Sequence, residues 1–371
     1  MPLNKHLILR STDKFSIIET SDIAQEKRAI NQTTAEDCVT SDLPVLSLNR
    51  LFTISKSSTI ANEENILWNY LERYGFVILT VQESSACGKI LRDLKNAVEN
   101  HFFPPSIPPK INNGQLNSGA TVYISERGVP MYHLGYELCD DIREAFRVTG
   151  GSIDSQPWPK NDDLDNEVLS PREFWVRGMC LCRYVCDIAL RVTLGYDPIK
   201  VRRSPGSNSS CWKTHDYCKR EEGRLPDRPG DYSVMYAMHY FNNDNAMQNL
   251  VVDDQDDGTL VNVKTHVDPS LFVLEPYLAD VEGLQVKATD STTWMTVDGK
   301  DSIIRKSIPK DTCAMVLFVG KAFSHQAYER FRRKVCPTKH RVVAPAQPGQ
   351  RRVVMIYEQK YEEYFPPPIM D

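Results

Sequence analysis

A β-strand sends alternate side chains to the same face, so a His-x-Asp step presents an imidazole and a carboxylate side by side. His266 and Asp268, in the stretch THVDPSLFVLEP that begins at Thr265, form such a step. Iron(II) in oxygenases is commonly held by two His and one carboxylate on one face of an octahedron, which leaves the other positions open for co-substrate and O2. The pair is therefore two thirds of a metal site and needs a second His downstream. The chain offers two, His325 in FSHQAY and His340 in KHRVV. By itself, His-x-Asp is a weak signal.

The elements that must position these residues are short. The C-terminal half alternates β-like runs with polar turns: YSVMYAMHYF, VKTHVDPSLFVLEP, GLQV, TTWMTV, TCAMVLFVG, HRVV and RRVVMIYEQ. Many short strands of this kind point to an antiparallel sandwich or barrel. Upstream, LPVLSL and FVILT read as short strands, and helical spacing runs over residues 62–74, 86–103 and 174–194. Gly75 and Gly195 stand where helix C-terminal glycines belong. Residues 1–42 show no sustained period and read as a flexible leader, 110–170 as a long connector with short elements, and the polar segment Asp197–Asp231 as a loop across the mouth of the site. His215 in that loop reads as exposed.

Composition narrows the class. With 371 residues, 41% of them hydrophobic, the chain can bury a large core, and a formal charge of -5 argues against a nucleic-acid surface. The basic run ERFRRK reads as a solvated loop. No apolar run approaches the roughly 18 residues of a membrane span, and the start lacks a secretory h-region, so an intracellular, cytoplasmic monomer with no membrane partner is expected. The only cysteine cluster, Cys180, Cys182 and Cys186, lies in a helical pattern with no further metal-ligating residue beside it and reads as core packing. The acidic run Asp253–Asp257 lacks the spacing of a calcium loop and reads as a solvated hairpin tip.

Taken together, His266-x-Asp268, GLQV from Gly283, Trp294, VLFVG ending at Gly320, His340-Arg341-Val342 and Arg351 resemble the isopenicillin-N-synthase-like branch of the Fe(II)/2-oxoglutarate dioxygenases. LPVLSLNRL, YGFVILT, the Trp158-Pro159 step and MHYF extend the resemblance over most of the chain after about residue 43. It implies an α+β fold with a mainly β core, a double-stranded β-helix or jelly roll, with an N-terminal helical region packed on it. The division it suggests is a leader (1–42), an N-terminal mixed region (43–204) and the oxygenase domain proper (205–371).

The resemblance also assigns roles. His266, Asp268 and His340 would hold Fe(II), with His340 preferred to His325 because Arg341-Val342 follows it as in the family's His-Arg-Val. The insertion ERFRRKVC makes the gap before it longer than usual. Arg351 would bind the far carboxylate of 2-oxoglutarate through a bidentate pair, with Arg352 the alternative; matching Tyr357 to the family's aromatic position selects Arg351. Tyr240 would donate to the co-substrate. Val353 replaces the Ser of the family's Arg-x-Ser, which removes one hydrogen bond to the co-substrate, about 1 kcal/mol. The activity implied is oxidation of a small molecule by hydroxylation, desaturation or ring closure, with 2-oxoglutarate and O2 giving succinate and CO2. An iron oxidase without an oxoacid, like isopenicillin N synthase, and a catalytically silent binding protein on the same fold are the alternatives.

Overall fold

The computed structural model describes residues 43–54, 61–103, 123–124, 130–131, 135–149, 158, 170–195, 231–253, 257–289, 291–345 and 348–365. The leader, His215 and the segment 196–230 lie outside these residues, and so does the boundary at 204. The chain forms β1 (Val45–Ser47), α1 (Ala61–Tyr74), β2 (Phe76–Gln82), α2 (Ala86–Ala97), β3 (Gly135–Asp140), β4 (Arg143–Thr149) and α3 (Pro171–Leu194). Then follow β5 (Val234–Tyr240), β6 (Val251–Val252), β7 (Leu260–His266), β8 (Phe272–Glu275), β9 (Leu284–Lys287), β10 (Trp294–Thr296), β11 (Thr312–Val319), α4 (Lys321–Phe331), β12 (Lys339–Val343) and β13 (Arg352–Glu358).

Local chemistry explains the helix ends. Gly75 ends α1 at φ 80 and its N–H closes on Leu71 O. That left-handed conformation costs a glycine nothing and an L side chain about 1–2 kcal/mol. α3 opens with a capping box between Ser170 and Glu173, has Pro171 in its first turn, and stops at Gly195 with φ 68. It is longer at its start than the periodicity predicts, because the cap and proline set the beginning before the apolar residues do. Cys180, Cys182 and Cys186 are buried in it, as the core reading requires.

The strands make an eight-stranded sheet, β1-β2-β11-β8-β13-β5-β4-β3, and a five-stranded sheet, β10-β9-β12-β7-β6. Apart from the parallel β1–β2 pair, the neighbours are antiparallel. Alternation divides the large sheet cleanly. Leu79, Phe146, Met235, Leu274, Leu317, Val353 and Tyr357 face the helical side, in one apolar core with Trp175 and Leu190 of α3. Phe76, Ile78, Val273, Val316 and Phe318 face the other way, packed with Leu284 and Val286 of the smaller sheet.

Two segments differ from the sequence reading. Residues 135–149 are a hairpin that extends the large sheet, not part of a connector. Their charges mislead because they are interior: Arg147 pairs with Glu137 across the hairpin and Glu144 with His239 on β5. The basic run is the end of α4 and the turn after it, where Arg330 lies over the Tyr364 ring and Arg333 over Trp68. α4 is what lengthens the gap between Gly320 and His340. Gly320 caps that helix where the chain passes against β8: a Cβ there would stand 2.0 Å from Ser270 O.

Candidate metal centre

Between the two sheets lies a cavity of about 110 Å³. Its walls include Val273, Leu284, Phe318, Val342, Val354 and Ile356, and its polar groups are Arg143, Tyr236, Tyr240, His266, Asp268, Glu275, His340 and Arg352.

His266 ends β7 and His340 lies on β12, and the two are direct cross-strand partners. Their rings stand 4.1 Å apart. Asp268, two residues past His266 on the turn into β8, closes the triangle, with Oδ1 3.7 Å from His266 Nε2 and Oδ2 3.3 Å from His340 Nε2. One ligand atom from each residue lies within 4.8 Å of the others, the only such three-residue cluster among the described residues. His325 is on the exposed side of α4, away from this cluster.

The rings are oriented for ligation. His266 Nδ1 lies 2.8 Å from Lys264 O, and His340 Nδ1 lies 3.1 Å from Thr338 O. A carbonyl only accepts, so Nδ1 carries the proton in both rings and the Nε2 lone pairs face each other and Asp268. Burial holds the His340 imidazole down at about 3, with His266 acting in the same direction, and burial also lowers His266. Both rings are neutral at physiological pH, the form that binds a metal. Burial raises the Asp268 carboxyl, with Glu358 adding and Lys360 and Lys321 opposing. A dication among the three groups would supply the positive charge that a buried carboxylate lacks. The donor set therefore fits a nitrogen- and oxygen-binding first-row metal.

Behind the two ligand strands a carboxylate braces them. Asp253 is fully buried and accepts from Thr265 N and Oγ1 on β7 and from Arg341 Nη1 on β12. Arg341 also grips Asp257 through two bonds and Gln285 through a third. Thr265 and Arg341 are the neighbours of His266 and His340, so their side chains leave the opposite face of the sheet. The reading of Asp253–Asp257 as a solvated tip is thus corrected at Asp253, which is buried, while Asp257 is exposed as that reading expects and is held by Arg341; 254–256 lie outside the described residues. The signal in sequence was Arg341 itself, a cation inside a strand that needs an anion behind it.

The second polar group crosses the large sheet. Arg143, Tyr240 and Arg352 are cross-strand partners on β4, β5 and β13, and all three line the cavity. Arg352 lies over the Tyr240 ring at 5.1 Å and gives Nε and Nη2 to Asp298 Oδ2, at 2.8 and 2.5 Å. Arg143 Nε donates to Asp140 at 2.9 Å. Tyr240 is part of the cavity wall. Arg351 is not: it precedes β13, and its Nη2 donates to Glu99 O at 3.1 Å. The correction has a simple cause, since a step of one residue along a strand moves a side chain to the other face. Val353 likewise faces the helical core, and Val354 is the residue in the cavity. Sequence reasoning missed Arg143, hidden in a segment read as connector, and Glu275, hidden in a strand that is otherwise apolar.

No protein-family profile and no curated protein matches the chain. Among solved structures, a full-length protein of Neurospora crassa in complex with alpha-KG is similar at a TM-score of 0.50 and 17% identity, over 87% of this chain and 87% of that one. The dioxygenase for auxin oxidation from rice is similar at 0.48 and 17%, over 86% of this chain and 83% of that one. The chain thus shares its fold with that Neurospora crassa protein, and its two mainly antiparallel sheets pack about the His266-Asp268-His340 cluster.

Proposed function

We propose that the chain is an Fe(II)- and 2-oxoglutarate-dependent oxygenase, built on a double-stranded β-helix, that oxidises a small molecule. The observation that carries the reading is the convergence of His266, Asp268 and His340 in a cavity walled by apolar side chains and two arginines. The likeness to a Neurospora crassa structure that holds alpha-KG supports the fold on which the reading rests.

His266 Nε2, His340 Nε2 and one Asp268 oxygen would hold the metal, and the bonds from Nδ1 to Lys264 O and Thr338 O would keep the rings in place as it binds. These three residues would hold iron(II), which would supply the O2 chemistry of an oxoacid-dependent oxidation. The protein's part is to bind and orient. Arg352 would meet the far carboxylate of the co-substrate, the role the sequence reading gave to Arg351. Tyr240 would hold the Arg352 guanidinium from below, and Val273, Leu284, Phe318 and Val354 would keep water from the reacting atoms. With Arg352 in that role the Ser of the family's Arg-x-Ser falls on Val354 instead of Val353, and neither valine offers a hydrogen bond, so the co-substrate needs a further donor in this chain.

The test is anaerobic: protein loaded with Fe(II) is given 2-oxoglutarate and the visible metal-to-ligand charge-transfer band is recorded, with His340→Ala beside it. A band in the wild type that is absent in the variant is the expected result. Iron binding without a band would favour an oxidase that uses no oxoacid, and failure to bind iron would refute the reading.

A further inference from the structure

We propose that Glu275 is the further ligand-binding residue of this cavity, donating a hydrogen bond from its carboxyl to a ligand carboxylate whose other oxygen accepts from Arg352 Nη1. This rests on the reading of the cavity as an oxoacid site and names a contact that neither the sequence nor the comparisons assign.

The wall itself carries the argument. β8 runs Phe272-Val273-Leu274-Glu275, all buried, and alternation turns Val273 and Glu275 into the cavity while Phe272 and Leu274 pack under the helices. Glu275 is 2% exposed and its Oε2 has no hydrogen-bond partner. A carboxyl in that position costs several kcal/mol unless something bonds to it. On the neighbouring strand β13 of the same sheet, Arg352 spends Nε and Nη2 on Asp298 and leaves Nη1 buried without a partner. Two buried polar atoms without a partner thus belong to residues that line one cavity.

Charge decides which ligand they fit. Asp298 already balances Arg352, and Asp140 binds Arg143, so an ionised Glu275 would stand without a cation of its own. Burial pushes its carboxyl up to about 8, with Arg352 opposing and Asp298 adding. At neutral pH the group is therefore an acid, a donor as well as an acceptor, and an arriving anion favours the protonated form further. A carboxylate takes one bond from an arginine and one from a carboxylic acid without leaving either oxygen empty. Glu275 thereby supplies the donor that Val354 cannot.

Calorimetric titration of 2-oxoglutarate into the Mn(II)-loaded full chain tests this, with Glu275→Gln, which keeps a donor, and Glu275→Met, which does not. Wild type and the Gln variant should bind within about threefold of each other and the Met variant roughly tenfold more weakly, the value of one such bond. Pyruvate, which lacks the far carboxylate, should bind all three alike. Equal affinity in all three for 2-oxoglutarate, or tighter binding in both variants, overturns the assignment while leaving the oxoacid reading intact; a wild type that binds Mn(II) but no 2-oxoglutarate overturns both. Should the Met variant not fold, wild type and Glu275→Gln are titrated at about pH 7 and about pH 9. The groups facing Glu275 are Arg352, Asp298, Tyr240 and Tyr277. Loss of affinity at the higher pH in wild type alone supports the acid form, and equal behaviour refutes it.

Discussion

Glu275 also makes a prediction about folding that needs no ligand. Its carboxyl is raised from an ordinary 4.5 to about 8, by burial first, with Arg352 opposing and Asp298 adding. Between those two values the unfolded chain has released the proton and the folded protein still holds it. The native state then binds more protons than the unfolded one, so stability falls as pH rises. The contribution is fully present below about pH 4.5, is lost progressively as pH climbs toward about 8, and changes no further above that. Each unit is worth about 1.4 kcal/mol, so the whole window amounts to roughly 5 kcal/mol as an upper bound, because relaxation and water entry soften such shifts. Glu275→Gln has the same shape and nothing to titrate. Urea unfolding of both proteins at about pH 5, 7 and 9 should show the variant gaining on the wild type by a few kcal/mol across the series. Parallel stability profiles would mean that Glu275 ionises normally in the fold, and the reasoning would fail.

Other consequences follow from the same geometry. Arg352→Met should destabilise the protein by about 3–5 kcal/mol by chemical denaturation, because Asp298 is left buried without its cation. Arg351→Ala should leave 2-oxoglutarate affinity within about twofold in the same calorimetric assay, since Arg351 is bonded to Glu99 O outside the cavity. Asp253→Asn should cost about 1–3 kcal/mol of stability and weaken Co(II) binding read by visible absorption, as it loosens the tie between β7 and β12; unchanged values in both would refute the brace. Gly320→Ala should lower the melting temperature by several degrees, because its Cβ would overlap Ser270 O; a melting curve unchanged from the wild type would show that the backbone yields there at no cost.

Features set by neighbours in the chain were legible in the sequence. The left-handed stop at Gly75, the end of α3 at Gly195 and the placing of His266 and Asp268 on one side of a strand end all follow from local geometry. His340 could be singled out over His325 through the residues beside it. What depends on distant partners was not legible. Whether Arg351 or Arg352 enters the cavity is a matter of parity, and parity is set by how β13 pairs with β5 and β8, Arg352 opposite Tyr240 and Tyr357 opposite Leu274. A buried charge looks like a loop residue until its partner is known, which is why the hairpin with Glu137 and Arg147, and the brace of Asp253 and Arg341, came into view only in three dimensions. The sequence, through local spacing and its resemblance to a family, pointed to His266, Asp268 and His340 and to a mixed fold with a mainly β core. The tertiary structure decided which polar side chains meet inside, because only pairing across the sheets assigns each residue its face.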